Sequence, residues 1–150
     1  MLGAMGLVSV LSGPGDKGSP STTAASGNIG DPVRDGKLEF TVNSVDCGRK
    51  HVGGTYGETA QGQFCLVALT VQNIGTESQT FNAGDQIAYD MAGNQITADS
   101  MASSESTFLE DINPGNQVTG VVAFDIPVAQ TLSSLELHDS MFSEGVTVNL

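Results

Sequence analysis

The stretch of this chain that most constrains its fold is residues 109–127, LEDINPGNQVTGVVAFDIP. Val118, Gly120, Val122, Phe124 and Ile126 share one parity, the period-two pattern of a half-buried strand. Pro127 closes the run, because proline cannot donate to a ladder. Ahead of it, Asn113-Pro114-Gly115-Asn116 predicts a tight turn: proline presets φ at the second position and glycine accepts positive φ without steric cost. A long strand therefore enters from a turn and leaves at a proline. No residue pattern here or elsewhere specifies a reaction.

The surface chemistry excludes more than it assigns. Against 17 Asp and Glu stand 5 Lys and Arg, a formal net charge of −12. The basic residues are Lys17, Arg34, Lys37, Arg49 and Lys50, so the chain after Lys50 is acidic or neutral apart from its two histidines. Such a surface repels nucleic-acid phosphates and anionic headgroups over the range that salt leaves unscreened, which excludes nucleic-acid binding and membrane contact through a basic patch. The acidity serves solubility; the contrasting reading is a docking surface for a cationic partner.

Cys47 and Cys65 each fall in a segment that reads as a strand, with a glycine-rich polar stretch between them. A disulfide closing that stretch stabilises by about 3 kcal/mol on the chain-entropy model and implies an oxidising compartment. The alternative is a pair of unlinked core thiols.

Taken in order, residues 1–11 (MLGAMGLVSVL) are apolar but too short to span a bilayer, and no basic residue precedes them. They read as the remnant of a signal sequence or membrane anchor, or as an unstructured leader. Residues 12–30 are rich in Gly, Ser, Pro and Thr and are expected to form a flexible linker. Within it, residues 13–18 match G-x-G-x-x-G only by accident, since no strand precedes and no helix can start in Ser-Pro-Ser-Thr-Thr. Residues 30–38 imitate a phosphate loop with the wrong spacing. The folded domain is placed at 31–150. Leu38, Phe40 and Val42 alternate, then Val45 and Cys47 take the other parity, which predicts a β-bulge near Asn43-Ser44. QFCLVALTV, residues 63–71, is apolar on both parities and reads as a central strand covered on both faces. Short strands follow at 79–81, 86–89 and 95–98, the last two as a hairpin, then a Ser-rich loop at 99–107. Leu135 and Leu137, then Val146, Val148 and Leu150, alternate with polar residues. With no helical stripe anywhere, the chain reads as all-β, an antiparallel sandwich of two sheets, with a small closed barrel as second choice.

FTVNSVDCG, GQFCLVALTVQNIGTESQTF, LEDINPGNQVTGVVAFDIP and the ending LELHDSMFSEGVTVNL resemble an actinobacterial family of extracellular immunoglobulin-like domains of unknown function (domain of unknown function 4352), whose wider relatives include the mycobacterial immunoprotective extracellular protein. The resemblance covers residues 31–150. It implies an immunoglobulin-like β-sandwich outside the cytoplasm, behind a signal or anchor, and no catalytic residues to carry over. The absence of tryptophan and the close spacing of the two cysteines depart from an antibody-type domain.

Candidate sites are few. A nucleophile lacks a partner: no serine stands in a G-x-S-x-G elbow, and His51 and His138 are unlinked in sequence. The chain is therefore read as not an enzyme and as needing no cofactor. Loop acids at 85, 90, 99, 110, 111, 139 and 144 could converge on calcium, with Asp111 and Asp139 the foremost candidates, while His138 with Met141 could suit copper. The preferred reading is a binding module for an unidentified protein or cell-wall partner, extracellular or at the cell surface, meeting a membrane only through a missing N-terminal anchor. Its expected contact is the loop 48–62, which carries Arg49, Lys50, His51 and Tyr56. The contrasting reading of that loop is plain solvation.

Overall fold

The structure is a computed structural model that describes residues 26–103 and 110–150; residues 1–25, with the apolar segment and most of the linker, and 104–109 of the Ser-rich loop region lie outside the description. Among the described residues, eleven strands run in the order β1 (Ser26–Asn28), β2 (Pro32–Asp35), β3 (Leu38–Val52), β4 (Glu58–Asn73), β5 (Gln79–Thr80), β6 (Ile87–Asp90), β7 (Gln95–Thr97), β8 (Asp111–Ile112), β9 (Gln117–Ile126), β10 (Leu132–Leu137) and β11 (Val146–Asn149). Two 3₁₀ turns, Gly54–Tyr56 and Ala83–Asp85, are the only helical elements among the described residues.

One sheet has the order β9-β4-β3-β2 and the other β1-β11-β10-β6-β7, with β5 and β8 as a small separate pair. All pairings are antiparallel except β1 with β11. The expected two-sheet sandwich is what forms. The stretch that led the sequence reading is β9, in continuous register with β4 from Gln117↔Gln72 to Ile126↔Gln63. Its inward parity places Gly120, Val122, Phe124 and Ile126 in the interior. Val122, Phe124 and Ile126 lie in one contiguous core with Phe40, Leu69 and Val71 of their own sheet, with Phe81, and with Leu135, Leu137, Val146 and Val148 of the other sheet. Phe40 and Phe81 meet edge to face, with ring centroids 5.8 Å apart.

The β-bulge expected near Asn43-Ser44 is present as a register shift between Val42 and Ser44 opposite β4. It returns the apolar side of β3 to the core after a parity break. The two-sided character of β4 also has its cause. Cys65, Val67, Leu69 and Val71 face the main core, while Phe64 on the opposite face joins Ala60 and Ala123, with Val52, Leu66 and Ala102 against them, in a second cluster.

Two boundaries differ from expectation. Ser26–Asn28, inside the stretch read as linker, is a strand, because Ser26, Gly27 and Asn28 pair with Thr147, Val148 and Asn149. Such a short polar strand has no periodic signal of its own, and its parallel partner lies at the other end of the chain. The stretch 48–62, read as a loop, is instead the outer part of a long two-stranded ribbon in which β3 and β4 continue pairing to Val52↔Glu58.

Candidate functional site

The ribbon is held by the residues that singled it out in the sequence. Cys47 and Cys65 form a disulfide, S–S 2.05 Å, between adjacent strands of one sheet rather than between sheets. Opposite Cys65 the ladder slips again, from Asp46↔Leu66 to Arg49↔Phe64, and Gly48 takes φ +87°, a conformation that a side chain disfavours. Arg49 then turns back on Asp46, with Nη2 2.6 Å from Oδ2. Lys50 Nζ donates to the Gly62 carbonyl at 2.6 Å. The Gly62 N–H and its neighbour at Gln61 donate to the Asp125 carboxylate at 3.0 and 2.7 Å. A Cβ at residue 62 would fall 2.1 Å from the Ile126 carbonyl oxygen, so only glycine lets β9 end this close to the ribbon. His51 Nδ1 lies 2.9 Å from Thr59 Oγ1 across the ribbon, and Nε2 meets the Gly54 carbonyl.

Three of the four residues expected to face a partner thus spend their polar atoms on the ribbon itself. The fourth does not. Tyr56 ends the 3₁₀ turn at the tip, next to Gly53 and Gly54 with φ of +88° and +69°, and is 97% exposed.

At the opposite end of β3, the β2–β3 turn meets the β10–β11 loop. Gln86, fully buried, accepts from the His138 N–H at 2.7 Å and donates back to the His138 carbonyl at 3.1 Å. The His138 ring lies between Glu136, with Nε2 2.9 Å from Oε1, and Ser143, whose carbonyl and hydroxyl oxygens are 3.1 and 3.3 Å from Nδ1. Serine, histidine and glutamate in hydrogen-bond reach resemble a nucleophile, its base and an orienting acid. The Ser143 hydroxyl, however, donates to the Ser140 carbonyl at 2.9 Å, and Nδ1 is nearer the backbone carbonyl of Ser143 than its hydroxyl. This is the bonding of a closed turn.

The acids read as calcium candidates do not converge. Asp139 accepts from the Lys37 N–H at 2.9 Å and Asp111 from the Thr80 hydroxyl at 2.9 Å. Asp90 and Asp99 each accept two backbone N–H groups of their own turns. The N–H and side-chain donors of Asn94, with Ala92 N–H, hold the Asp90 carboxyl below its usual range, against the opposing effect of burial. His138 has both ring nitrogens engaged, and Met141 is 69% exposed. Among the described residues, no group of three or more His, Cys, Asp or Glu is placed to hold a metal ion.

Residues 27–147 match the model of one protein family, described as a domain of unknown function, DUF4352. The chain belongs to the DUF4352 family. This DUF4352 chain is 31% identical over 121 residues to the uncharacterised protein YxkC of Bacillus subtilis, a match covering 72% of the chain and 67% of the relative. Among solved structures, the fold is similar to MPT63, a secreted protein of Mycobacterium tuberculosis, with TM-score 0.62, 16% identity and coverage of 85% and 98% of the two chains. It is similar also to the yjhA protein of Bacillus subtilis, TM-score 0.58 at 21% identity, over 81% and 99%. An uncharacterised β-sandwich protein of Clostridium difficile aligns with TM-score 0.54 at 14% identity, over 92% and 99%. At these identities the solved structures speak for the shared fold of the DUF4352 chain, and the family description assigns no activity.

Proposed function

We propose that this domain is a non-enzymatic interaction module that works outside the cytoplasm, secreted or held at the cell surface, with a protein or cell-wall component as partner. The observation that carries the reading is Tyr56: an aromatic ring 97% exposed at the tip of a ribbon that a disulfide and three side chains bonded along it hold in place. A tyrosine offers large contact area at low entropic cost, and a scaffold ordered in advance reduces what binding must still order. Support for the location is the disulfide, which persists in oxidising compartments, together with the fold shared with a secreted protein.

The test is retention of the immobilised domain's partners from two sources, purified cell-wall sacculi and the extracytoplasmic protein fraction, with Tyr56→Ala in parallel. Retention by the native domain that falls about tenfold in the variant supports the reading, that ratio being about 1.4 kcal/mol, within the range of a contact anchor. No retention from either source, or equal retention by both proteins, overturns it.

A further inference from the structure

The β10–β11 loop carries two large apolar side chains in open solvent, Met141 at 69% and Phe142 at 89% exposure. They are the central residues of a turn closed by the Ser143 N–H donating to the Ser140 carbonyl at 3.1 Å. Beneath them the loop is tightly fixed. The Phe142 N–H reaches Ser140 Oγ at 3.3 Å, Ser143 anchors the His138 ring, and Gln86 grips the His138 peptide. From the β2–β3 turn, Asp35 accepts the N–H groups of Asp139 and Gly145 at 2.7 and 3.1 Å, while Asp139 accepts that of Lys37. Two glycines make room for this contact. A Cβ at Gly36 would fall 2.0 Å from Asp139 Oδ2, and one at Gly145 2.6 Å from His138 Cε1, with φ of +61° and +85°.

Bonds from segments far apart in sequence thus immobilise a turn whose two largest side chains add nothing to the core. Aqueous exposure of such a pair gains no folding energy, whereas a contact surface gains from having it ordered beforehand. The rim of the turn is acidic, with Asp139 and Glu144 flanking it and Glu136 below. Carboxylates there oppose an anionic lipid surface, and a net charge of −12 opposes a second copy of the chain.

We infer that the turn at residues 140–143 is a second contact site of the module, on which Met141 and Phe142 enter an apolar pocket of a protein partner whose rim is basic. The inference rests on reading the domain as an interaction module but does not depend on Tyr56.

The test titrates isotope-labelled domain with a short amphipathic helical peptide of leucine and lysine, and separately with a lysine–serine peptide of equal charge and with phosphatidylcholine vesicles. Saturable amide shifts centred on residues 139–144 are expected with the leucine–lysine peptide alone. Its affinity should fall about tenfold in the double variant Met141→Ser, Phe142→Ser, the size expected for removing contact anchors. Both residues are exposed, so an unchanged melting temperature confirms that the variant folds. Tyr56→Ala should leave this titration unchanged, which separates failure of this site from failure of the ribbon. Equal binding of both peptides, an unaffected double variant, or vesicle binding through the same residues would overturn the inference.

Discussion

Gln86 and His138 form a reciprocal pair in which a side-chain amide stands in for a strand: Oε1 accepts the His138 N–H at 2.7 Å and Nε2 donates to the His138 carbonyl at 3.1 Å. The β6–β10 ladder ends at Ile87↔Glu136, and Gln86 continues it with its side chain. Its Nε2 also reaches the Asn82 carbonyl at 2.9 Å, which ties the 3₁₀ turn to the same point.

Gln86→Ala leaves a buried N–H and two carbonyls without these partners. Loss of buried partners costs about 1–3 kcal/mol per orphaned group before water enters. Urea unfolding should show destabilisation on that order, and amide exchange at residues 138–145 should accelerate more than in β9. Equal acceleration in both regions would mean that Gln86 does not act as a local clamp.

Space and backbone conformation can be separated at two glycines. Gly115, in the turn before β9, has φ +85° and nothing within 4 Å of an added Cβ, so Gly115→Ala should cost only the left-handed penalty of about 1–2 kcal/mol. Gly36→Ala, with φ +61°, meets the Asp139 carboxylate as well and should cost distinctly more. Equal losses in denaturant unfolding would contradict the packing of the β2–β3 turn on Asp139.

Asp90 gives a pH dependence of definite sign. Hydrogen bonds from the Asn94 backbone, followed by the other donors of the hairpin turn, lower its folded-state pKa. The unfolded chain therefore takes up the proton first. The stabilisation is present above the ordinary carboxylate range and is lost as pH falls through the lowered folded value. Asp90→Asn should be less stable than the native chain at neutral pH, with the gap narrowing on acidification. A gap independent of pH would show that the charge of Asp90 is not what the turn uses.

Much of this architecture is legible in the residues, for local reasons. The parity of Val118 to Ile126 survives as β9, and the shift of parity between Val42 and Val45 marks a bulge. What escapes is whatever a distant partner supplies. Ser26–Asn28 becomes a strand only against Thr147–Asn149, and the ribbon beyond Cys47 pairs although its glycines and charges have the composition of a loop. The role of Lys50 escapes for the same reason, since only folding brings it to the Gly62 carbonyl twelve residues away, whereas Arg49 and His51 bond to Asp46 and Gly54 three residues off and, for His51, to Thr59 across the ribbon. The turn at Met141-Phe142 left a trace in the sequence, two large apolar residues between serines, but its fixation by Asp35 and Gln86 has no local signal.

The disulfide should matter most to the ribbon. Its partners are 18 residues apart, and a loop of that size gives about 3 kcal/mol on the chain-entropy model. Paired Cys47→Ser and Cys65→Ser substitutions should lower unfolding stability by roughly that amount, and amide exchange should rise first at residues 49–62. An unchanged ribbon in the variant would leave its order to Lys50, Arg49 and Asp125 alone.

The central claim is a division of labour within the ribbon: basic side chains build it and Tyr56 meets the partner. Binding and stability measured together on Lys50→Ala and Tyr56→Ala test it most directly. Lys50→Ala should lower stability by about 0.5–1 kcal/mol, the net worth of a solvent-exposed charged hydrogen bond, while folded molecules keep their partner. Tyr56→Ala should melt with the native chain and lose binding about tenfold. Binding lost through Lys50 with stability intact, or retained without Tyr56, would contradict the account.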